Sequence, residues 1–317
     1  MPNSTSPQPE GRRPRWGRWL FGMICFLVLA GLVRLGYPGY RSRQIIAALT
    51  EKGINVETDP VFGYEYPEWI NSRLDRVFIQ SVHITEIGDQ LSDDDLKSIG
   101  ELFSLTYDGF ETRASCDLMF SGSLISDRGL AHLEGLRQVT RLRLGTDLIS
   151  DAGLHRLRGL SNLTLLEIRG PQITDRGLSH LTGLANLETL SLRSSAMTDA
   201  GLDHLIKLGQ LSYLDLSANE ITDAGLAKLA AIPHLELLEL MGTRITDAGL
   251  ESLLKLSQLR ALNLNGTKLT DTAVPILMRF TNLKLLSLED TGITRTGIAR
   301  LQAAFPNLEM GWIERCW

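Results

Sequence analysis

The sequence predicts an α/β solenoid shaped like a horseshoe, with a parallel sheet on its concave side and short helices on its convex side. Two observations lead to this prediction. A 24-residue unit repeats seven times without a gap over residues 125–292, and a fixed period of this length is typical of repeat architectures. Within each unit, the apolar spacing changes from the three-residue step of a helix to the two-residue alternation of a strand.

Each unit opens with a signal for the start of a helix. The openings are variants of Ile-Thr-Asp-Ala-Gly-Leu, beginning at residues 125, 149, 173, 197, 221, 245 and 269, with an eighth at 293. In the copy at Ile221, the side-chain oxygens of Thr222 and Asp223 suit the free N–H groups of a first helical turn. A glycine follows at 129, 153, 177, 201, 225, 249 and 297. Because glycine weakens a helix by about 1 kcal/mol, its repetition indicates close backbone approach between stacked units.

The strand half of the unit carries a family resemblance. Leu211, Leu214, Leu216, Asn219 and Ile221 fit the pattern L-x-x-L-x-L-x-x-N-x-L. The chain thus resembles leucine-rich repeat proteins, and its openings are similar to those of bacterial members and of the cysteine-containing subtype, whose cysteines it lacks. The asparagine position is otherwise held by Asp147, Pro171, Ser195, Thr243, Thr267 and Thr291. A continuous asparagine ladder is therefore not expected, since threonine bonds neighbouring backbone more weakly.

The ends of the array depart from the regular unit. We expect an N-terminal cap over residues 41–90 and a repeat domain over 91–317. The C-terminal cap is residues 293–317, in which Trp312 and Trp317 are expected to cover the last layer of the array. A degenerate unit starts at Leu91, and the 34 residues from there to Ile125 imply an insertion of about ten residues within 106–116. A working loop and a harmless surface loop are both open readings of this insertion.

The first forty residues predict a membrane anchor. Residues 1–18 are expected to be disordered and basic. An apolar run follows, and we interpret residues 19–40 as a transmembrane helix or uncleaved signal, flanked by aromatic residues at both ends. The arginine balance around the run places the repeat domain outside the cytoplasm, which predicts a single-pass membrane protein.

Composition narrows the classes of function. Residues 1–43 hold seven arginines and one glutamate, which leaves 25 basic and 36 acidic residues in the remainder, a net charge of −11. This balance argues against nucleic acid as a partner. Three cysteines give no disulfide framework. His132, His180 and His204 share one repeat position, but neighbouring helices lie about 8–10 Å apart, too far to share one zinc ion. We therefore expect no metal site. We also expect no cofactor, no catalytic residue and no enzymatic activity.

The candidate binding residues lie between the strand leucines, where side chains point out of the concave sheet. Four arginines lie toward the N-terminal half, acidic residues lie toward the C-terminal half, and Leu165, Tyr213, Leu237, Ala261 and Leu285 form an apolar column. The predicted ligand-binding residues are Arg141, Arg143, Arg169, Arg193, Tyr213, Asp215, Leu237, Glu239, Met241 and Asn263. Arginine and tyrosine are common interface anchors, and exposed apolar columns often mark contact sites.

These features predict a membrane-anchored, non-enzymatic interaction module that binds a protein or peptide on its concave face. One alternative is an adhesion or envelope-organising protein that self-associates. A further alternative is an enzyme regulator that acts through the 106–116 loop.

Overall fold

The computed structural model describes residues 41, 44–60, 79–86, 91–106, 115–121 and 124–311. Within them, eleven strands form one sheet in chain order. The strands are Ile54–Pro60 (β1), Ile79–Glu86 (β2), Ser115–Ser121 (β3), Val139–Gly145 (β4), Leu165–Ile168 (β5), Thr189–Ser191 (β6), Tyr213–Asp215 (β7), Leu237–Glu239 (β8), Ala261–Asn263 (β9), Leu285–Ser287 (β10) and Glu309–Met310 (β11). Strands β1 and β2 are antiparallel, and each later neighbouring pair is parallel.

A helix or helical turn precedes each parallel strand from β3 onward. The α-helices are residues 44–51 (α1), Asp93–Thr106 (α2), Asp127–Leu130 (α3), Asp151–Leu157 (α4), Asp175–Leu178 (α5), Leu202–Leu205 (α6), Asp223–Leu229 (α7), Leu250–Leu253 (α8), Val274–Leu277 (α9) and Arg295–Ala304 (α10). Short 3₁₀ segments extend four of them, at Ala131–Leu133, Ser179–Leu181, Asp247–Gly249 and Asp271–Ala273. The predicted order of helix, turn and strand within each unit is confirmed.

The strands of the regular units pair with an offset of one full repeat. Leu166 lies opposite Leu190, and Leu214 lies opposite Leu238, so equivalent residues form continuous rows across the sheet. The strand leucines and the helix leucines join one buried core that runs the length of the stack. Neither half of a unit could bury its apolar face alone, which is why such units are stable only when stacked. The predicted parallel-sheet solenoid is therefore confirmed.

The threonine and aspartate at each opening have different roles. Thr222 caps its own helix, because its hydroxyl accepts a hydrogen bond from the backbone N–H of Ala224 at 3.3 Å. Asp223 instead reaches the next repeat, where it accepts bonds from the backbone N–H of Thr246 at 2.8 Å and from the Thr246 hydroxyl at 2.6 Å. We call this contact the repeat bridge. Capping by the aspartate, as the sequence suggested, is wrong, since its carboxylate joins two units.

The repeat bridge recurs along the array. The acceptors and donors are Asp93 with Ser126, Asp127 with Ser150, Asp151 with Thr174, Asp175 with Thr198, Asp199 with Thr222, Asp223 with Thr246, Asp247 with Thr270 and Asp271 with Thr294. It also explains the glycine column. A Cβ atom added to Gly225 would lie 2.3 Å from Oδ1 of Asp199, a distance that real Cβ atoms do not reach. The predicted close approach between units is therefore confirmed.

The single asparagine of the strand-end column links two repeats. The amide of Asn219 donates to the backbone carbonyls of Leu192 at 2.8 Å and Leu216 at 3.0 Å. Thr243, one unit later, donates only to Leu240 in its own repeat. The expected absence of a continuous ladder is confirmed, because a threonine hydroxyl is too short to bridge in the same way.

The predicted transmembrane helix must be corrected. No helix among the described residues is both long enough and apolar enough to cross a membrane. Residues 19–40, on which the prediction fell, lie outside the described residues. Within the described residues the fold is thus the solenoid alone, and the predicted transmembrane helix and single-pass membrane localisation are withdrawn.

Both ends of the array differ from the regular units. Strands β1 and β2 extend the sheet on the N-terminal side, and Ile45, Leu49, Ile54 and Ile84 join the common core. Helix α2 has 14 residues and ends at Thr106, where the predicted insertion begins, while residues 107–114 lie outside the described residues. The same applies to Trp312 and Trp317. The proposed domain boundaries stay a prediction.

Candidate functional site

The candidate site is the face of the sheet that points away from the helices, which we call the open face. Strand residues alternate between the two sides of a sheet, and Leu214 and Leu238 are fully buried in the core. Their neighbours Tyr213 and Asp215 therefore lie on the open face. Strands stack about 4.7–4.9 Å apart whereas packed helices need about 8–10 Å, so the stack curves with the open face on its inside.

Three columns of side chains run along the open face. The first column holds Arg141, Leu165, Thr189, Tyr213, Leu237, Ala261 and Leu285. The second column holds Arg143, Glu167, Ser191, Asp215, Glu239, Asn263 and Ser287. The third column, just beyond the strands, holds Gly145, Arg169, Arg193, Ser217, Met241, Asn265 and Glu289.

The open face is more crowded than the sequence suggested. Asp215 and Asn263 are each 2% exposed, and Ser217 and Ser287 are fully buried although they do not belong to the apolar core. In the first column, Leu165 and Ala261 are buried, while Leu237 and Leu285 are half-buried. Side chains on the inside of a curve converge, which covers the middle column most. The apolar column is therefore only partly accessible.

Most of the arginines in the N-terminal half are paired across strands. Arg143 forms an ion pair with Glu167 on the next strand. Arg141 lies 3.7 Å from Asp117 on the preceding strand. The predicted cluster of positive charge is therefore largely neutralised within the face itself.

Arg193 completes a network around Asp215. The Arg193 guanidinium lies 3.4 Å from the Asp215 carboxylate. That carboxylate also accepts a bond from the Ser191 hydroxyl at 3.1 Å and one from the backbone N–H of Ser217 at 2.9 Å. A buried carboxylate needs such partners, because burying an unpaired charge is costly.

Arg169 differs from the other three arginines. Its side chain is exposed, and within the described part of the chain it has no ion pair. It lies at the end of β5 beside the half-buried Glu167, whose charge is already matched by Arg143. Among the four predicted arginines, Arg169 is thus the one whose charge has no partner in the described part of the chain, so a ligand can pair with it.

Tyr213 is fixed in the middle of the open face. Its hydroxyl donates a hydrogen bond to the Glu239 carboxylate at 2.6 Å. The amide of Asn263 lies 3.5 Å from the other oxygen of the same carboxylate. Burial and the hydrogen bond to Glu239 raise the pKa of Tyr213 far above the usual range of a phenol. The tyrosine is therefore a neutral donor held in one orientation.

Glu239 is the most perturbed acid of the face. Burial raises the pKa of its carboxyl group above the ordinary value, and the negative charge of Asp215 adds to this effect. The bonds from Tyr213 and Asn263 act in the opposite direction. The structure thus brings Tyr213, Asp215, Glu239 and Asn263 into one connected region, with Leu237 and Met241 half-buried at its margin.

The described residues offer little for metal or covalent chemistry on this face. They contain no group of three or more histidine, cysteine or acidic side chains that would hold a metal ion. Cys116 lies in the core, and burial raises its thiol pKa well above the ordinary value.

Sequence reasoning missed the pairing between neighbouring strands. The signal was present, because an acid stands 24 residues after Arg143, at Glu167. In a sheet whose strands pair with an offset of one repeat, this spacing places the two side chains side by side. The binding role of the ten predicted residues stays a prediction.

Comparisons with known proteins give a match to one family model and several similar solved structures. A family model described as leucine-rich repeat matches residues 211–230 and 231–254. No curated protein matches the sequence. Solved structures similar to this chain include a leucine-rich repeat protein of Leptospira interrogans, with 18% identity and a TM-score of 0.46 over 68% of this chain and 62% of that one. This chain thus spans less than two thirds of the length of that protein.

Two internalins of Listeria monocytogenes are also similar. One has 19% identity and a TM-score of 0.45 over 86% of this chain and 95% of that one. The other, an internalin C2, has 23% identity and a TM-score of 0.44 over 72% of this chain and 79% of that one. The matched residues 211–254 cover two adjacent units, and the same unit recurs in register along the sheet. Two units of the chain, residues 211–254, thus match the leucine-rich repeat family.

Proposed function

We propose that this protein is a non-enzymatic interaction module that binds a protein or peptide ligand on its open face. The observation that carries the proposal is the arrangement around Tyr213. A hydrogen bond to Glu239 fixes the ring in the middle of the face, beside the half-buried Leu237. A rigid aromatic side chain gives a large contact area at a low cost in conformational entropy, which is typical of interface anchors.

The size of the face suits an extended segment. Seven strands at about 4.8 Å give a surface about 30 Å long from β4 to β10. An extended peptide of about nine residues spans this length at about 3.3 Å per residue. Along it, Arg169 offers a free cation and Tyr213 an aromatic anchor, while Met241 adds a flexible apolar contact.

The charge pattern supports recognition by shape and by a few polar contacts. Arg143 and Arg193 already have acidic partners, so a ligand that displaces either partner exchanges one ion pair for another. Only Arg169 among the four arginines would gain a new partner. We therefore expect a ligand with an acidic group near β5 and an apolar or aromatic residue near β7 and β8.

Site-specific photo-crosslinking tests the proposal. A photoreactive amino acid replaces Met241 on the open face of the full-length chain, and a matched variant carries it at the exposed Arg128 on α3. Exposure in the native cells should give a discrete protein adduct from position 241 but not from 128. Adducts that are identical at both positions would count against the open face.

Affinity measurements with the captured partner then test the two anchors. Tyr213→Ala and Arg169→Glu should each weaken binding by about tenfold or more, as expected for interface hot spots worth about 2 kcal/mol. The control Arg128→Glu makes the same charge change on the helix side and should leave the affinity unchanged. Equal affinities for all three variants would overturn the proposal.

A further inference from the structure

Two histidines from neighbouring repeats meet on the helix side of the solenoid. His155 lies on α4, and His180 lies in the 3₁₀ segment that follows α5. Their Nδ1 atoms are 3.4 Å apart, and their ring centroids are 4.7 Å apart with the planes at 85°. Both side chains are half-buried, so one edge of the pair is open to solvent. This contact was not predicted from the repeat pattern, because the two residues occupy different positions of the repeat.

The distance between the two nitrogens is long for a hydrogen bond and also allows both atoms to bind one metal ion. Hydrogen bonds that nitrogen donates are usually about 2.7–3.2 Å long, and this separation is 3.4 Å. At an ion placed at the usual zinc–nitrogen distance of about 2.0–2.1 Å from both atoms, the two nitrogens would subtend an angle of about 108–116°. This is close to the tetrahedral angle that zinc prefers.

Charged side chains also act on this pair, because Arg158, Arg176 and Asp151 interact electrostatically with His180. The positive charges of Arg158 and Arg176 weaken the attraction for a cation, and the negative charge of Asp151 strengthens it.

We propose that His155 and His180 form a two-histidine site for a divalent transition metal ion of the zinc class, bound through both Nδ1 atoms. No third protein ligand completes the site among the described residues, so water fills the remaining positions. Such a site has open coordination positions, as catalytic zinc sites do, whereas structural zinc sites are closed by four protein ligands. The proposal is independent of the open face, which lies on the other side of the sheet.

Calorimetric titration of the untagged, full-length protein with Zn²⁺ and with Ni²⁺ tests the site. The wild type should show one binding event that is at least about tenfold weaker in His155→Asn and in His180→Asn. The control His204→Asn removes a half-buried histidine at the repeat position of His180, one unit later, and should bind like the wild type. Far-UV circular dichroism checks that each variant is folded.

Two further measurements, of copper coordination and of the pH dependence of binding, test the same two-histidine site. With Cu²⁺, electron paramagnetic resonance should show coupling to two imidazole nitrogens in the wild type and to fewer in either single variant. Binding should also weaken as the pH falls, because protons compete for the same nitrogens. Equal metal affinity in the wild type, His155→Asn and His180→Asn would overturn the proposal, as would coupling to two nitrogens that survives in both variants.

Discussion

Replacing Gly225 by alanine tests the explanation of the glycine column. The added Cβ would lie 2.3 Å from Oδ1 of Asp199 and 2.9 Å from Cδ1 of Leu202. The Asp199 carboxylate must therefore move, and it accepts bonds from the backbone N–H and from the hydroxyl of Thr222. The substitution thus disrupts one repeat bridge and leaves the surface composition unchanged.

The expected cost follows from the bonds at risk. Hydrogen bonds to a charged group contribute about 1.5–3 kcal/mol each, so losing both costs about 3–6 kcal/mol. Alanine recovers about 1 kcal/mol of helix propensity relative to glycine. We expect Gly225→Ala to lower the free energy of unfolding by about 2–5 kcal/mol. The copy at Ala273 carries a Cβ and still keeps the bridge from Asp247 to Thr270, so the array accommodates a methyl group at that one unit.

Chemical denaturation of the full chain, followed by far-UV circular dichroism, measures this cost. The control is Gly209→Ala, because a Cβ at Gly209 has no neighbour within 4 Å. We expect the control to be neutral or slightly stabilising, since alanine restricts the unfolded chain. Adding Asp199→Ala should remove most of the penalty at Gly225, which a double-mutant cycle would report as coupling. If both glycine variants unfold at the same denaturant concentration, the steric explanation fails.

Three further perturbations follow from the contacts described above. Asn219→Ala leaves two buried carbonyls without their donor and should cost about 2–4 kcal/mol in denaturation experiments, against about 1 kcal/mol for Thr243→Ala, which loses one bond. The substitution Glu239→Gln should raise the free energy of unfolding, relative to the wild type, more at pH 7 than at pH 4. The raised pKa means that the folded carboxyl holds its proton more tightly than the unfolded one, so wild-type stability falls as the pH rises above the unfolded value of about 4.3. Asp271→Asn should make the last repeats less sensitive to acid in hydrogen-exchange experiments. Bonds from Thr294 lower the pKa of Asp271, so its contribution is present above about pH 4 and is lost as the pH falls through the folded value.

The repeat period was sufficient to predict the order of elements, since each unit meets the same neighbours. Leu214 and Leu216 both face the core, as their two-residue spacing predicted, because alternate residues of a strand lie on the same side of the sheet. The role of the aspartate column was not predictable in the same way. A carboxylate at a helix start satisfies the capping rule within one unit, and only the stacked geometry shows that Asp223 is nearer to Thr246 of the next repeat.

Turn conformation is a second feature that the sequence did not reveal. The third residue after the strand adopts a left-handed backbone at Ser194, Ala218 and Asp290, with φ between 52° and 56°. Glycines occupy the equivalent position at Gly242 and Gly266. A left-handed conformation costs a non-glycine residue about 1–2 kcal/mol, so Ala218 by itself would predict another backbone. The backbone bonds that each turn makes to the next repeat, such as Ala218 N–H to the Met241 carbonyl at 2.7 Å, outweigh this local preference.

The charge pattern of the open face shows why composition alone misleads for a solenoid. Read along the chain, the arginines and the acids form two blocks, which suggests a dipolar surface. Stacking changes this, because the offset of one repeat places Glu167 beside Arg143, and the third column brings Arg193 beside Asp215. Charges that are satisfied before a ligand arrives add little to affinity, since binding must first break an existing pair. Under the proposed binding role, selectivity depends on groups such as Arg169, which has no ion pair within the described part of the chain, and on the shape of the Tyr213 ring.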